Sequence, residues 1–290
     1  MFNLMSPCAR RWALNTINAD LSRKQYGRDV IIPIRGGIHS WHETETYLLP
    51  VIRSVLSART GAFVDVGASV GQTLLKVKLT SPSIQYLGVE PLPACANYLD
   101  ELINRNKFQH CTVVCCAVGS AGGVVKLFTR AKVSQVSSLA PQARNEGFFD
   151  QFRLVPVISG DQLIAAAVDG DGIAAIKIDV EGSEWDVIRS FRESIAKYRA
   201  PVLFEFLPID SEFVYGAMSD EVIAYRINHA RSLRQEFEDH DFDIYQLLGD
   251  GTVRKIKNFP ALPSHGFEEI NFLAVDRRKP SPVAELTRAE

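Results

Sequence analysis

Residues 62–72 read AFVDVGASVGQ. A short apolar run carries one aspartate, Asp65, and then breaks into a turn with two glycines four positions apart, Gly67 and Gly71. Apolar runs of this length are written where a strand is buried on both faces. The following VGQTLLKVKLT reads as a helix that opens at its glycine. The stretch therefore predicts a strand–turn–helix unit of an α/β fold. In such folds a ligand lies beyond the carboxyl ends of the strands, beside the first strand-to-helix turn. Gly67 and Gly71 let the backbone approach a ligand there, where a Cβ would intrude. Ala68 and Ser69 are small and keep the same surface open.

Outward from this unit, strands and helices alternate. QYLGVEP (85–91) is a strand closed by Pro91 and Pro93, ACANYLDELINRNK (94–107) an amphipathic helix, and CTVVCCAVG (111–119) a third strand. GVVKLFTR (123–130) and RLVPVISGDQLIAAAV (153–168) give a further strand and a strand–helix pair. AAIKIDVEG (174–182) and PVLFEFLP (201–208) are core strands flanking the helical SEWDVIRSFRESIAKY (183–198). A polar helix spans about Ser219 to His240. DIYQLL (243–248) and NFLAV (271–275) form a late antiparallel hairpin. The alternation predicts a mainly parallel, seven-stranded sheet with helices on both faces, that is, one Rossmann-like α/β domain. It occupies residues 43–278, between an N-terminal helical extension (1–42) and a frayed C-terminal tail (279–290). Trp41–Ala58 reads as helical, with Pro50 a kink or boundary.

Composition narrows the function. The chain has 290 residues, 46% of them hydrophobic, and 32 basic against 34 acidic side chains give a net charge of −2. That balance gives no electrostatic reason to expect nucleic acid or an anionic membrane surface as partner, a local basic patch apart. No apolar run approaches the ~20 residues of a membrane-spanning helix. The five cysteines (8, 95, 111, 115 and 116) are odd in number and lack metal-ligand spacing, as expected of free thiols in a cytoplasmic protein.

The turn itself discriminates between ligands. A dinucleotide-binding turn reads G-x-G-x-x-G, whereas this one reads G-A-S-V-G behind an aspartate. A carboxylate serves an anionic pyrophosphate poorly and serves an ammonium and a sulfonium well. S-adenosylmethionine (SAM) carries both. Glu90, 19 residues beyond Gly71, ends the second strand where a carboxylate can hold two ribose hydroxyls.

FVDVGASVGQT, GVEP, CAVGS and above all KIDVEGSEWDVI (177–188) resemble the FkbM family of SAM-dependent methyltransferases over about Glu43–Asp276. The resemblance implies a class I methyltransferase fold and methyl transfer to oxygen, on a hydroxyl of a saccharide, glycolipid or secondary metabolite. By the same resemblance Asp65, Gly67, Ala68, Ser69 and Gly71 line the methionine part of SAM, Glu90 the ribose, and Ala117 and Val118 the adenine. Asp179, Glu181 and Gly182 border the reaction centre. Family members often carry asparagine where Ser69 stands.

Methyl transfer needs the acceptor oxygen aligned with the methyl group and its proton removed. Asp179 and Glu181 alternate at a strand end and would point the same way. Glu205, embedded in VLFEF, is a third acid that is costly to bury without a role. These three are the catalytic candidates. Helix capping before SEWDVIRSF is the plain alternative for the first two, and Lys177 is expected to pair with an acid. Mg²⁺ held by Asp179, Glu181 and a third oxygen is a variant, but no histidine or asparagine completes a ligand set, and no metal is assigned. His39, His42 and His265 are expected at the surface, and the aromatics of NEGFFDQF (145–152) in the core. Glu43 is a further candidate for the SAM amino group, and Ser137 and Ser138 for a loop over substrate. A non-catalytic SAM-binding protein and a nicotinamide-dependent oxidoreductase are the competing classes. The insertions at 130–152 and 208–218 set the acceptor, and nothing in the sequence selects an oligomeric state.

Overall fold

The computed structural model describes residues 13, 15–120, 122–130, 136–168, 170, 172–209, 218–259 and 270–287. His265, Cys8 and most of the 208–218 insertion lie outside these. The chain opens with β1 (Asn18–Gln25) and β2 (Arg28–Arg35), paired antiparallel. Ala13, Asn15 and Thr16 are helical, but over residues 18–35 this hairpin corrects the expected helical extension. Val30, Ile32 and Ile34 alternate inward at a period of two. Tyr26 and Gly27 turn the hairpin with φ of 48° and 80°, the positive pair that matches strand twist.

α1 (Leu48–Ala58) starts seven residues later than the sequence suggests, because Pro50 is tolerated only in a first turn. β3 (Ala62–Val66) and α2 (Gln72–Thr80) flank the glycine turn, followed by β4 (Gln85–Val89) and α3 (Pro93–Asn106). Pro93 occupies the first helical position of α3, where a missing N–H costs nothing. β5 (Cys111–Val114) and β6 (Ala117–Val118) divide the CTVVCCAV run between two sheets. β7 (Gly123–Thr129), β8 (Ser137–Ser138) and β9 (Gln151–Ile158) then build the second sheet. α4 (Gly160–Ala167) is opened by a capping box of Ser159 and Gln162. β10 (Ile173–Ile178), α5 (Glu184–Ser190), α6 (Arg192–Tyr198), β11 (Val202–Glu205) and α7 (Asp220–Asp239) follow. β12 (Phe242–Leu247), β13 (Val253–Ile256) and β14 (Asn271–Asp276) complete the core.

The main sheet runs β13-β12-β14-β11-β10-β3-β4-β5. β14 lies antiparallel between β11 and β12, so those two share a direction with β10, β3, β4 and β5. This is the expected Rossmann-like arrangement, with the expected β12–β14 pairing. β13 adds an eighth strand at the edge, one more than the sequence reading gives. The strands between the two edges are buried on both faces, as unbroken apolar runs require. α1, α2 and α3 cover one face and α4 to α7 the other, each with its own apolar cluster. The second sheet, ordered β6-β9-β7-β8, begins just past the carboxyl end of β5. The tail is docked where fraying was expected: Val283 is fully buried, Ser54 donates to the Pro282 carbonyl and Thr287 bridges to Val253. Among the described residues no helix is long and apolar enough to cross a membrane.

Candidate functional site

A cavity of about 410 Å³ opens at the carboxyl ends of β3, β4, β10 and β11, a size suited to a small-molecule ligand. The glycine turn forms its floor. Gly67 and Ala68 donate their amides to the Val89 carbonyl (2.9 and 3.0 Å), and Gly71 donates to the Ala68 carbonyl at 2.9 Å. Ser69 has φ +46°, a conformation asparagine tolerates well, which gives the family's preference at this position a backbone reason. Gly67, Ala68, Ser69, Glu90, Ala117 and Val118 all line the cavity.

Asp65 and Gly71 do not. Asp65 is fully buried on the α1–α3 face of the sheet, where it accepts a hydrogen bond from the Tyr86 hydroxyl. Burial raises its pKa, against the pull of Lys177. From there it anchors the turn from beneath. Gly71 (φ +81°) is glycine because a Cβ would lie 2.8 Å from both Leu99 and Leu102 of α3. Gly67 (φ +84°) is glycine because a Cβ would lie 1.9 Å from the Asp179 carbonyl oxygen. Both glycines thus have a steric cause inside the protein, where the sequence suggested a ligand.

Glu90 is 4% exposed and accepts from the Ser69 amide (2.9 Å) and the Leu92 amide (2.8 Å). Burial pushes its pKa up to about 7, against those two amides. Its position at the end of β4 and at the cavity wall suits a ribose diol, which donates where a carboxylate accepts.

Asp179, Glu181 and Glu205 converge on the same cavity, with one carboxylate oxygen of each within 4.8 Å of the others. Lys177 donates to Asp179 Oδ2 at 2.9 Å, as expected of it, and Arg144 binds Glu181 Oε2. Two resident cations therefore offset two of three acids, which suits a shared proton better than a bound dication. Burial lowers the affinity of Lys177 for its proton, but Asp179, Asp65 and Glu45 outweigh it and the pKa rises. Burial pushes Glu181 up to about 7, with Arg144 opposing. Glu205 is raised well above the ordinary carboxylate range by burial, with its acidic neighbours adding to it.

The turn carrying Glu181 is clamped on several sides. Glu181 itself is left-handed (φ +56°), and its carbonyl accepts from Ser138 Oγ at 2.8 Å. The Gly182 amide donates to Glu184 Oε1 and the Gly182 carbonyl accepts from the Tyr225 hydroxyl, each at 2.8 Å. Glu184 Oε2 is bonded in turn to His229 Nε2 at 2.9 Å. Neither Asp179 nor Glu181 caps α5, whose N-cap is Ser183.

Ser137 and Ser138 line the cavity on β8. His39, expected at the surface, is half-buried and lines the cavity, and burial lowers its pKa, helped by His42; His42 lines the cavity too and is exposed, as expected. Glu43 turns away to accept from the Tyr26 amide at 2.8 Å. Its neighbour Glu45 takes the place by the cavity, held by the Asn271 side-chain amide at 3.0 Å. A signal for Glu45 exists in the sequence: Lys76 lies in the apolar LLKVKL and is fully buried, and a buried ammonium needs an acid. Glu45 Oε2 supplies it at 3.9 Å. Arg144 has no comparable signal.

Residues 65–244 match the family described as Methyltransferase FkbM domain. No curated protein sequence matches the chain significantly. Among solved structures, the methyltransferase FkbM of Methylobacillus flagellatus KT is 16% identical, with a TM-score of 0.44 over 74% of this chain. This chain spans 43% of that protein's length. An O-methyltransferase of Bacillus cereus, solved in complex with SAH, is 10% identical with a TM-score of 0.43, covering 82% of this chain and 84% of its own. The O-methyltransferase TomG of Streptomyces achromogenes, solved with SAM, is 9% identical with a TM-score of 0.42, covering 79% of each chain. The family assignment rests on the sequence match alone.

Proposed function

We propose, given that the chain belongs to the FkbM methyltransferase family, that it transfers a methyl group from SAM to a hydroxyl oxygen of a saccharide, glycolipid or secondary metabolite. The observation that carries this reading is the convergence of Asp179, Glu181 and Glu205 on the same cavity as the glycine turn and Glu90.

When bound, SAM supplies an activated methyl group on a sulfonium centre. The remaining work belongs to the chain. Glu90 holds the ribose hydroxyls, and buried Ala117 and Val118 border an apolar slot for adenine. Gly67, Ala68 and Ser69 offer small surface to the amino-acid end. Glu181 accepts the acceptor's hydroxyl proton on its second oxygen, the first being engaged by Arg144. A pKa of about 7 matches a general base working near neutrality. Glu205, whose neutral form is favoured by its surroundings, offers a hydrogen-bond donor instead of a second base. Lys177 keeps Asp179 in place beside them.

Isothermal titration should give saturable, roughly micromolar binding of SAM, on the order of −8 kcal/mol. A tritiated-methyl transfer assay against a panel of hydroxyl compounds then tests turnover. Absence of SAM binding by the intact protein overturns the reading, and binding without transfer to any hydroxyl acceptor favours a non-catalytic SAM-binding protein.

A further inference from the structure

One apolar surface lies outside the cleft. In the β7–β9 ribbon Val124 pairs with Pro156, Lys126 with Leu154 and Phe128 with Phe152. Strand alternation puts these six on one face, while Leu127, Val155 and Val157 point into the core. Val124 (69% exposed), Leu154 (67%) and Phe152 (52%) are the exposed large apolar side chains among the described residues. Three of them gathered on one ribbon are a different matter from apolar residues scattered singly, and such a patch marks a contact surface.

We propose that this face docks on an anionic lipid surface. The six outward positions contain no carboxylate and one cation, Lys126, in the central pair. Its ammonium lies 4.6 Å from the centre of the Phe152 ring; just past the ribbon end Arg130, 4.8 Å from the centre of the Phe148 ring, and exposed Asp150 bring one charge of each sign, so Lys126 sets the sign of the face. A second copy seated face to face would enclose two ammonium groups in an apolar interface whose six positions supply no acid to pair with them. A lipid surface has no such conflict. Leucine, valine and phenylalanine enter the acyl boundary while a long basic side chain reaches back to the phosphates. The net charge of −2 gives no hint of this partner; the local arrangement does.

The docked face is continuous with the cleft. β8 pairs with β7 through Phe128–Ser138 and Thr129–Ser137, and both serines line the cavity. Docking therefore sets the cavity wall beside the lipid. The inference concerns the surface alone and stands whether or not the cleft transfers a methyl group.

The test is co-sedimentation of the full chain with vesicles. Equimolar phosphatidylcholine and phosphatidylglycerol vesicles should bind it, pure phosphatidylcholine vesicles should bind it far less, and high salt should release it. The double variant Phe152→Asp/Leu154→Asp should lower the bound fraction about tenfold or more. Lys126→Glu, at an exposed position, should weaken binding to the anionic vesicles only. Unchanged melting temperatures identify variants that have kept their fold. Equal binding by Lys126→Glu and wild type, no binding to either vesicle, or a dimer in sedimentation equilibrium that the double variant dissociates would each overturn the proposal.

Discussion

Gly67 and Gly71 look alike in sequence and differ in consequence. An added Cβ at Gly67 strikes the backbone oxygen of Asp179, which cannot yield without moving β10. At Gly71 it strikes the ends of two leucine side chains, which can rotate. Gly67→Ala should therefore cost on the order of 3 kcal/mol and weaken SAM binding sharply. Gly71→Ala should cost roughly 1 kcal/mol, mainly for its left-handed φ, and leave binding nearly intact. Thermal unfolding and titration calorimetry on the two variants check this order. Glu181 gives a second prediction at this scale. A base must be unprotonated to accept a proton, so the rate should fall as pH drops below about 7 and level off above it. Glu181→Gln should flatten that profile and lower kcat by about a hundredfold or more, with SAM affinity retained.

Between elements, the decisive relation is that of α7 to the turn after β10. Tyr225 and His229, one helical turn apart, reach Gly182 directly and through Glu184. Tyr225→Phe should lower kcat by about tenfold with little change in the KM for SAM, because it loosens the Glu181 turn and spares the floor of the cleft. Steady-state kinetics with a pH profile separates this from general destabilisation, since the apparent pKa assigned to Glu181 should move. The Lys177–Asp179 and Arg144–Glu181 pairs also lead us to expect full activity in excess EDTA, measured after dialysis. The acids at 179, 181 and 205 were legible from the sequence because carboxylates at the ends of apolar strands are conspicuous. Arg144 was not, since it comes from an irregular stretch and nothing local marks it. The buried setting of Asp65 is hidden for a related reason: Tyr86 and Lys177 are distant in sequence and only the sheet register brings them alongside.

For the molecule as a whole, strand and helix order could be read from apolar runs and turn residues, whereas placement across the sheet edge could not. The hairpin at residues 18–35 and the edge strand β13 depend on what they pack against. The same holds for the tail. Val283 is fully buried, and removing residues 281–290 forfeits roughly 1.5–3 kcal/mol for that side chain alone. For a chain above about 150 residues this corresponds to a lowering of the melting temperature by several degrees, measurable by calorimetry. The backbone contact between Gly67 and Asp179 also bears on how such a protein diversifies. It fastens the donor half of the cleft to the acidic half like the two jaws of a fixed spanner, so neither can drift without the other. Adaptation to a new acceptor must then come from the roof, where His39, His42 and β8 are joined to the rest by side-chain and edge contacts that tolerate replacement.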